Sequence, residues 1–295
     1  MSTATLGTRP GPGPRPRRRP RPRPRPRTRT VLLTVTAWAL AALFLLPYVQ
    51  MVITAGRPAD ELRDNAYLPS RFDWSAFTRV WSETTLGQNL SNTLLIAAGS
   101  TLLVLLVALP AACCTARVRF RGRGAFLLLV LVTQMFQPTA LQVGLYREFH
   151  ALGLLDTTTV LMVANAAFNL AFAIWIISAY IGSIPVELEE AAMTDGCGRA
   201  RALFRVTLPL AMPGIVTAVI FTFIAAWNEF VMGLTLTTSP ERQPLTVGIN
   251  NMIGAYSVQW NQVFAASLVA IVPVIALFAV IERQVVSGLT AGSVK

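Results

Sequence analysis

Of the 295 residues, 54% are apolar and only 13% are Asp, Glu, Lys or Arg, against roughly a quarter charged in an ordinary soluble domain. The only lysine is Lys295 and the only histidine is His150, which excludes a phosphate loop ending in Gly-Lys-Ser/Thr, a histidine metal cluster and a histidine-based intramembrane hydrolase. The net charge of +11 suggests nucleic acid or an anionic surface as partner, and its distribution along the chain separates the two.

In chain order, the first element is a tail, residues 1–30, whose stretch from Pro10 to Arg29 is almost purely Arg and Pro. Such a composition buries no core and stays extended and disordered. No aromatic is interleaved and the tail abuts an apolar run, so lipid headgroups are the expected partner and nucleic acid is not. The run that follows is too long for a signal-peptide core, and no small-residue cleavage site succeeds it, so it reads as an uncleaved anchor.

Six apolar runs are each close to the ~20 residues that cross a bilayer core as a helix. They are Val31 to Thr54, Thr93 to Thr115, Ala125 to Gly144, Thr159 to Ile181, Gly214 to Leu236 and Val263 to Ile281. The expected fold class is therefore all-α, a polytopic membrane protein of six transmembrane helices, with a six-span domain over 31–295. None of the spans contains an Asp, which excludes a paired-aspartate intramembrane protease. Between the first two spans, Ala55 to Asn92 mixes Asp60, Glu61, Asp64 and Asp73 with Phe72, Trp74, Phe77 and Trp81, a composition that suits either a docking surface or interfacial packing. Tyr256 and Trp260 carry the same two readings.

Charge alternates with the spans. With the N-terminus inside, six basic residues fall outside (Arg57, Arg63, Arg71, Arg79, Arg147 and Arg242), and the other 19 fall inside, the bias of the positive-inside rule. Both termini are then cytoplasmic. Cys113 and Cys114 lie at the inner end of the second span and Cys197 in an inside loop, so no disulfide is expected.

The longest inside loop, 183–213, opens with a helix start: Pro185, then Glu187, Glu189 and Glu190 at the positive dipole end. A short helix to Asp195 is expected, with Gly196 able to take the left-handed geometry that stops it. A second amphipathic helix is expected over Arg199 to Leu208, with Arg199, Arg201 and Arg205 on its polar side, ended by Pro209 and Pro213 at the bilayer.

The order Glu190-Ala191-Ala192, three residues, Gly196, nine residues, Val206, one residue, Leu208-Pro209 resembles the EAA loop of ABC-importer permeases, with Val in place of the commoner Ile. The run Trp227-Asn228-Glu229-Phe230 and the tail from Gly288 to Lys295 resemble the carbohydrate, maltose-permease-like branch of that family. The resemblance implies a type I ABC-importer permease fold and a subunit that is not an enzyme. It also implies docking of ATPase subunits on Glu190, Ala191, Ala192, Gly196, Leu208 and Pro209. By the same resemblance the partners are a second permease subunit in a heterodimer, two ATP-binding subunits and an extracytoplasmic sugar-binding protein, in a bacterial cytoplasmic membrane. No cofactor or metal is expected on this chain, since ATP belongs to the partner subunits.

A sugar path needs dispersed hydrogen-bonding groups more than fixed charges. The candidates are Gln134 and Gln137, one turn apart near Pro138 in the third span, Asn165 and Asn169 on one face of the fourth, and Asn228 and Glu229 in the fifth; interhelical hydrogen bonding is the other role open to such residues. Another small polar solute as cargo, and a secondary transporter in place of an ATP-driven one, are the alternatives; the latter would use intramembrane ionisable groups, of which only Glu229 qualifies.

Overall fold

The structure, a computed structural model, describes residues 27–62, 68–118, 120–254 and 258–291, with side chains over 30–62, 68–118, 120–254 and 258–280. Residues 1–26 of the Arg/Pro tail, Arg63, Asp64, Arg119, Tyr256, 292–295 and the side chains of Arg283 and 288–291 lie outside these residues, whereas 27–30, expected as part of the disordered tail, open a helix. Among the described residues, five helices are long and apolar enough to cross a membrane, and a sixth apolar stretch is a helix pair bent by 93°. Helices dominate because hydrocarbon offers backbone N–H and C=O groups no partner except each other.

The chain divides into two units, Met1–Tyr48 and Val49–Lys295. The described part of the first is most of helix α1 (Arg27–Ala55), whose side chains are exposed from Thr30 to Gln50.

The second unit is built on three helices, α3 (Leu86–Arg117), α6 (Thr158–Ser183) and α9 (Leu208–Trp227). Val104, Ala108 and Ala112 of α3, Ala173, Ile174, Ile177 and Ile181 of α6, and Ala211 and Ala218 of α9 form one buried cluster. Alanines at these positions let the backbones approach closely, which is how helices gain dispersion energy where lipid is as apolar as the protein. Gly214 takes this furthest, since a Cβ there would lie 2.4 Å from the Tyr180 ring. Hydroxyl contacts lie inside the bundle: Thr101 donates to Ala97 O at 2.7 Å, and the Thr115 and Ser178 hydroxyls share a hydrogen bond of 3.0 Å between α3 and α6, whereas the buried Thr222 hydroxyl of α9 has no hydrogen-bond partner among the described residues. Around this bundle, α12 (Trp260–Ala291) packs on α2 (Ser75–Glu83) through Ala55, Ala76 and Ala265, with Phe77 against them. Phe72 and Trp74 stack with centroids 5.8 Å apart and stay half exposed, so the aromatics of this region divide between packing and surface.

Three expectations change in detail. The third span is not one rod: α4 (Arg123–Thr133) and α5 (Pro138–Ala151) meet at the 93° bend, because a residue before proline avoids helical geometry and proline suits the first turn of a new helix. Gln137 is accordingly extended, with φ −70° and ψ 131°, and Gln134 and Gln137 flank a break instead of sharing a helix face. The fifth span ends at Trp227, and Val231–Leu236 is a separate short helix, α10. Finally, Pro209 and Pro213 do not stop the preceding helix. From α8 (Arg199–Ala202) the chain passes through a π-helical turn, Leu203–Thr207, directly into α9. Leu208 N–H bonds back to Leu203 O, and this wider turn accommodates a proline ring that would collide with an α-helical carbonyl four residues earlier.

At the end of the bundle away from the π-helical turn, side chains of α3 take over the hydrogen bonds of an irregular segment. Asn89 Nδ2 donates to Pro240 O and Gln243 O at 3.1 and 2.9 Å, Asn92 Nδ2 donates to Glu241 O at 2.8 Å, and Leu245 N–H, at the start of α11 (Leu245–Asn251), donates to Thr93 Oγ1 at 2.7 Å. Asp156, at φ 58° in the turn before α6, accepts from the N–H groups of Thr238 and Ser239, both at 2.9 Å, and from the Ser239 hydroxyl. The Ser239 hydroxyl bond, joined by these two N–H groups, holds its carboxyl below the ordinary range.

Replacing Gly214 by Leu should force α6 and α9 apart and destabilise the purified protein by about 1–3 kcal/mol, read as a lower thermal unfolding midpoint in detergent. Asp156→Asn should lower the midpoint at pH 7. Because the folded pKa is depressed, the carboxylate's contribution is complete above its unfolded value of about 3.9 and fades as pH falls through the folded one. The gap between wild type and variant should therefore close in strong acid and not in alkali.

Candidate functional site

Two helix breaks face a common space. One lies between α4 and α5, the other between α9 and α10, and α6 passes beside both. Together they line a cleft of about 240 Å³ whose polar groups are Thr133, Gln134, Asn165, Asn169 and Glu229, with Phe136, Phe168 and Met232 as apolar surface. Non-helical backbone at membrane depth is tolerated where protein buries it or where it lines a water-filled cavity, and both breaks border this cleft.

Within the cleft, each amide is held by a carbonyl. Gln134 Nε2 donates to Phe168 O at 2.9 Å, Asn165 Nδ2 to Leu161 O at 2.9 Å, and Asn169 Nδ2 to Asn165 O at 2.8 Å. These bonds fix the side chains through their amide nitrogens. Glu229 accepts from Met232 N–H at 2.8 Å and Gly233 N–H at 3.0 Å, so it caps α10 and completes the backbone bonding lost at the break. Among the described residues, no Arg, Lys or His lines the cleft. A second, more open hollow of about 370 Å³ lies where α3 and α12 begin, lined by Thr84, Thr85, Asn251, Gln259 and Gln262 among others; none of the sequence candidates belongs to it.

Four of the six pathway candidates, Gln134, Asn165, Asn169 and Glu229, are thus brought together. Gln137 and Asn228 are exposed and do not line the cleft. What the sequence reading missed is Gln142, whose Nε2 donates to Val231 O at 2.8 Å and Thr235 Oγ1 at 2.5 Å and so ties α5 to α10. Its polarity within an apolar run was the available signal.

The second feature is an elbow. Helix α7 (Glu187–Thr194) is followed by Gly196 at φ +86°, the left-handed geometry that only glycine adopts without cost. Glu190, Ala191 and Gly196 are exposed, Ala192 half-buried, Leu208 half-buried and Pro209 exposed. Val186, Leu188 and Phe204 add exposed apolar surface, and Arg199, Arg201 and Arg205 are exposed as expected. Glu189 differs from its acidic neighbours by turning inward. Its Oε1 accepts from Arg117 Nε and from the Thr207 hydroxyl, both at 2.6 Å, and Arg117 Nη2 also donates to Ile184 O at 3.0 Å. Among the described residues, no group of three or more His, Cys, Asp or Glu side chains is placed to hold a metal.

A family model described as a binding-protein-dependent transport system inner membrane component matches residues 101–288. The chain is 34% identical, over 85% of its length and 89% of the relative's, to the sulfoquinovosyl glycerol transport system permease protein of Agrobacterium fabrum. It is 30% identical, over 87% and 93%, to the trehalose/maltose transport system permease protein of Thermococcus litoralis. The fold is similar to that in a crystal structure of a bacterial ABC transporter that imports the acidic polysaccharide alginate, with TM-score 0.75, 24% identity and coverage of 88% of this chain and 98% of that one.

Glu229→Ala should leave two N–H groups at the start of α10 without an acceptor, a loss of about 1–3 kcal/mol, whereas Glu229→Gln keeps one acceptor oxygen. Thermal unfolding in detergent should rank wild type above Gln and Gln above Ala.

Proposed function

As a member of the family of binding-protein-dependent transport system inner membrane components, the chain is a transporter permease subunit, and we propose that it forms half of the translocation pathway of an ATP-driven importer for a sugar or oligosaccharide. The observation that carries this reading is the presence, on one three-helix bundle, of both a polar cleft between broken helices and an exposed elbow with the Glu190-Ala191-Ala192 to Gly196 spacing. Broken helices that meet at a cleft are the means by which transporters present polar groups to a solute.

Carboxamides, a hydroxyl and aromatic faces, with no basic side chain, suit a solute that donates and accepts hydrogen bonds without a negative charge. The relatives named for trehalose and maltose and for sulfoquinovosyl glycerol support a saccharide cargo. A second permease subunit would complete the pathway, and a binding protein outside the membrane would deliver cargo to it. The chain sits in the cytoplasmic membrane with both termini inside, so α7 faces the cytoplasm.

Two ATP-binding subunits would dock on the two elbows of the permease pair. In this chain Glu190, Ala191, Ala192 and Gly196, with Leu208 and Pro209, would form that contact. ATP itself would be held by those subunits, with no cofactor on this chain. Closure of the ATPase pair would shift the equilibrium between inward-open and outward-open states, because ATP binds the closed pair more tightly.

The test is reconstitution with the second permease, the ATPase subunits and the binding protein in proteoliposomes. Gly196→Asp, which places a side chain at φ +86°, and Glu190→Trp should each cut ATP-driven uptake by at least about tenfold while membrane insertion is unchanged. Normal uptake in both variants would remove the elbow from the mechanism.

A further inference from the structure

We propose that Arg117, Glu189 and Thr207 form a latch that makes α7 move as one body with the α3, α6 and α9 bundle; they act as positioning residues for coupling. This rests on the reading of the elbow as the ATPase contact and adds how motion there reaches the cleft.

The covalent attachment of α7 is weak. It is joined to α6 through 184–186 and to α8 through 195–198, the latter containing Gly196 at φ +86° and Gly198. Two such short links would let α7 swivel when pushed, and the displacement would be absorbed locally. The latch removes that freedom at one point. Arg117 is the last residue of α3, and its guanidinium bonds Glu189 of α7 at 2.6 Å and the carbonyl of Ile184, just past the end of α6, at 3.0 Å. Thr207 closes the π-helical turn that leads into α9, and its hydroxyl donates to the same Glu189 oxygen at 2.6 Å. One carboxylate oxygen therefore ties the elbow to two of the three bundle helices directly, and Arg117 brings in the third.

Burial distinguishes this pair from an incidental surface contact. The Arg117 and Glu189 side chains are only 13% and 16% exposed, whereas those of Arg71 and Asp60, joined at 3.4 Å, are 70% and 69% exposed. Exposed pairs hold geometry poorly, but a buried carboxylate that loses its partner is left uncompensated, so the buried pair resists opening. Thr207 is fully buried, and its bond to Glu189 satisfies a hydroxyl that water does not reach. Glu187 and Glu190, on the exposed side of α7, stay available to a partner while Glu189 is committed to the bundle.

The experiment uses the full complex in proteoliposomes and reads how strongly the binding protein stimulates ATP hydrolysis, so it needs no identified cargo. Glu189→Gln and Arg117→Gln should each leave the ATPase subunits co-purifying and reduce stimulation by about tenfold, and Thr207→Val should reduce it less. The exchange Arg117→Glu with Glu189→Arg should recover much of what either single change loses, which a merely structural requirement for the native residues would not produce. Spin labels at Thr194→Cys and Ser183→Cys, in a background without native cysteines, should show a narrow distance distribution that broadens in Glu189→Gln. Undiminished stimulation in Glu189→Gln and Thr207→Val, alongside lost stimulation in Gly196→Asp, would overturn the latch and leave the elbow reading standing. Undiminished stimulation in Gly196→Asp would overturn both. Should a charge variant fail to insert, Thr207→Val and the spin-label distances decide: unchanged stimulation with unchanged distances overturns the latch.

Discussion

Hydrocarbon gives the peptide backbone nothing to bond to, and the arrangement of this protein follows from that one constraint. Where the backbone can bond to itself it is helical, and α3, α6 and α9 come close enough for alanine and glycine to replace bulk at their contacts. Where it cannot, a side chain substitutes. Glu229 caps α10, Gln134 reaches the Phe168 carbonyl, and Asn89, Asn92 and Thr93 carry the bonds of the segment leading to α11. The polar residues of the spans are therefore first of all structural groups, and those beside the two breaks also line the cleft.

An intramembrane Asn or Gln can bond to backbone or line a cavity, and here the same side chains do both. At Asn165 and Asn169 the amide nitrogen donates to a carbonyl of the same helix while the side chain lines the cleft. Glu229 is the opposite case, since both its oxygens are occupied by backbone N–H groups. Its contribution to the cleft is a fixed wall.

At the other end of the bundle the same economy of charge appears. Of three acidic residues in α7, one is turned inward onto Arg117 and two face out. Helix geometry alone separates them, since residues one apart point about 100° away from each other. The elbow thus presents small side chains and exposed carboxylates on one side and is pinned beneath by a buried ion pair.

Much of this was legible in the residues themselves. Apolar runs of bilayer length have one fold available to them, so the helical spans follow from composition, and the α7 stop follows from Gly196, because few other residues accept its backbone angle. The Gln137-Pro138 pair even contained the break in the third span, but a proline in a hydrophobic run is equally compatible with a continuous helix, as Pro110, Pro213 and Pro273 demonstrate. Only the tertiary structure decided among them, by supplying or withholding partners for the freed backbone groups. It alone also paired Arg117 with Glu189, 72 positions away. Arg117 had a sufficient local explanation as an inside charge and Glu189 as a residue favouring a helix start; local sequence determines what a side chain can do, and packing determines which distant group it meets.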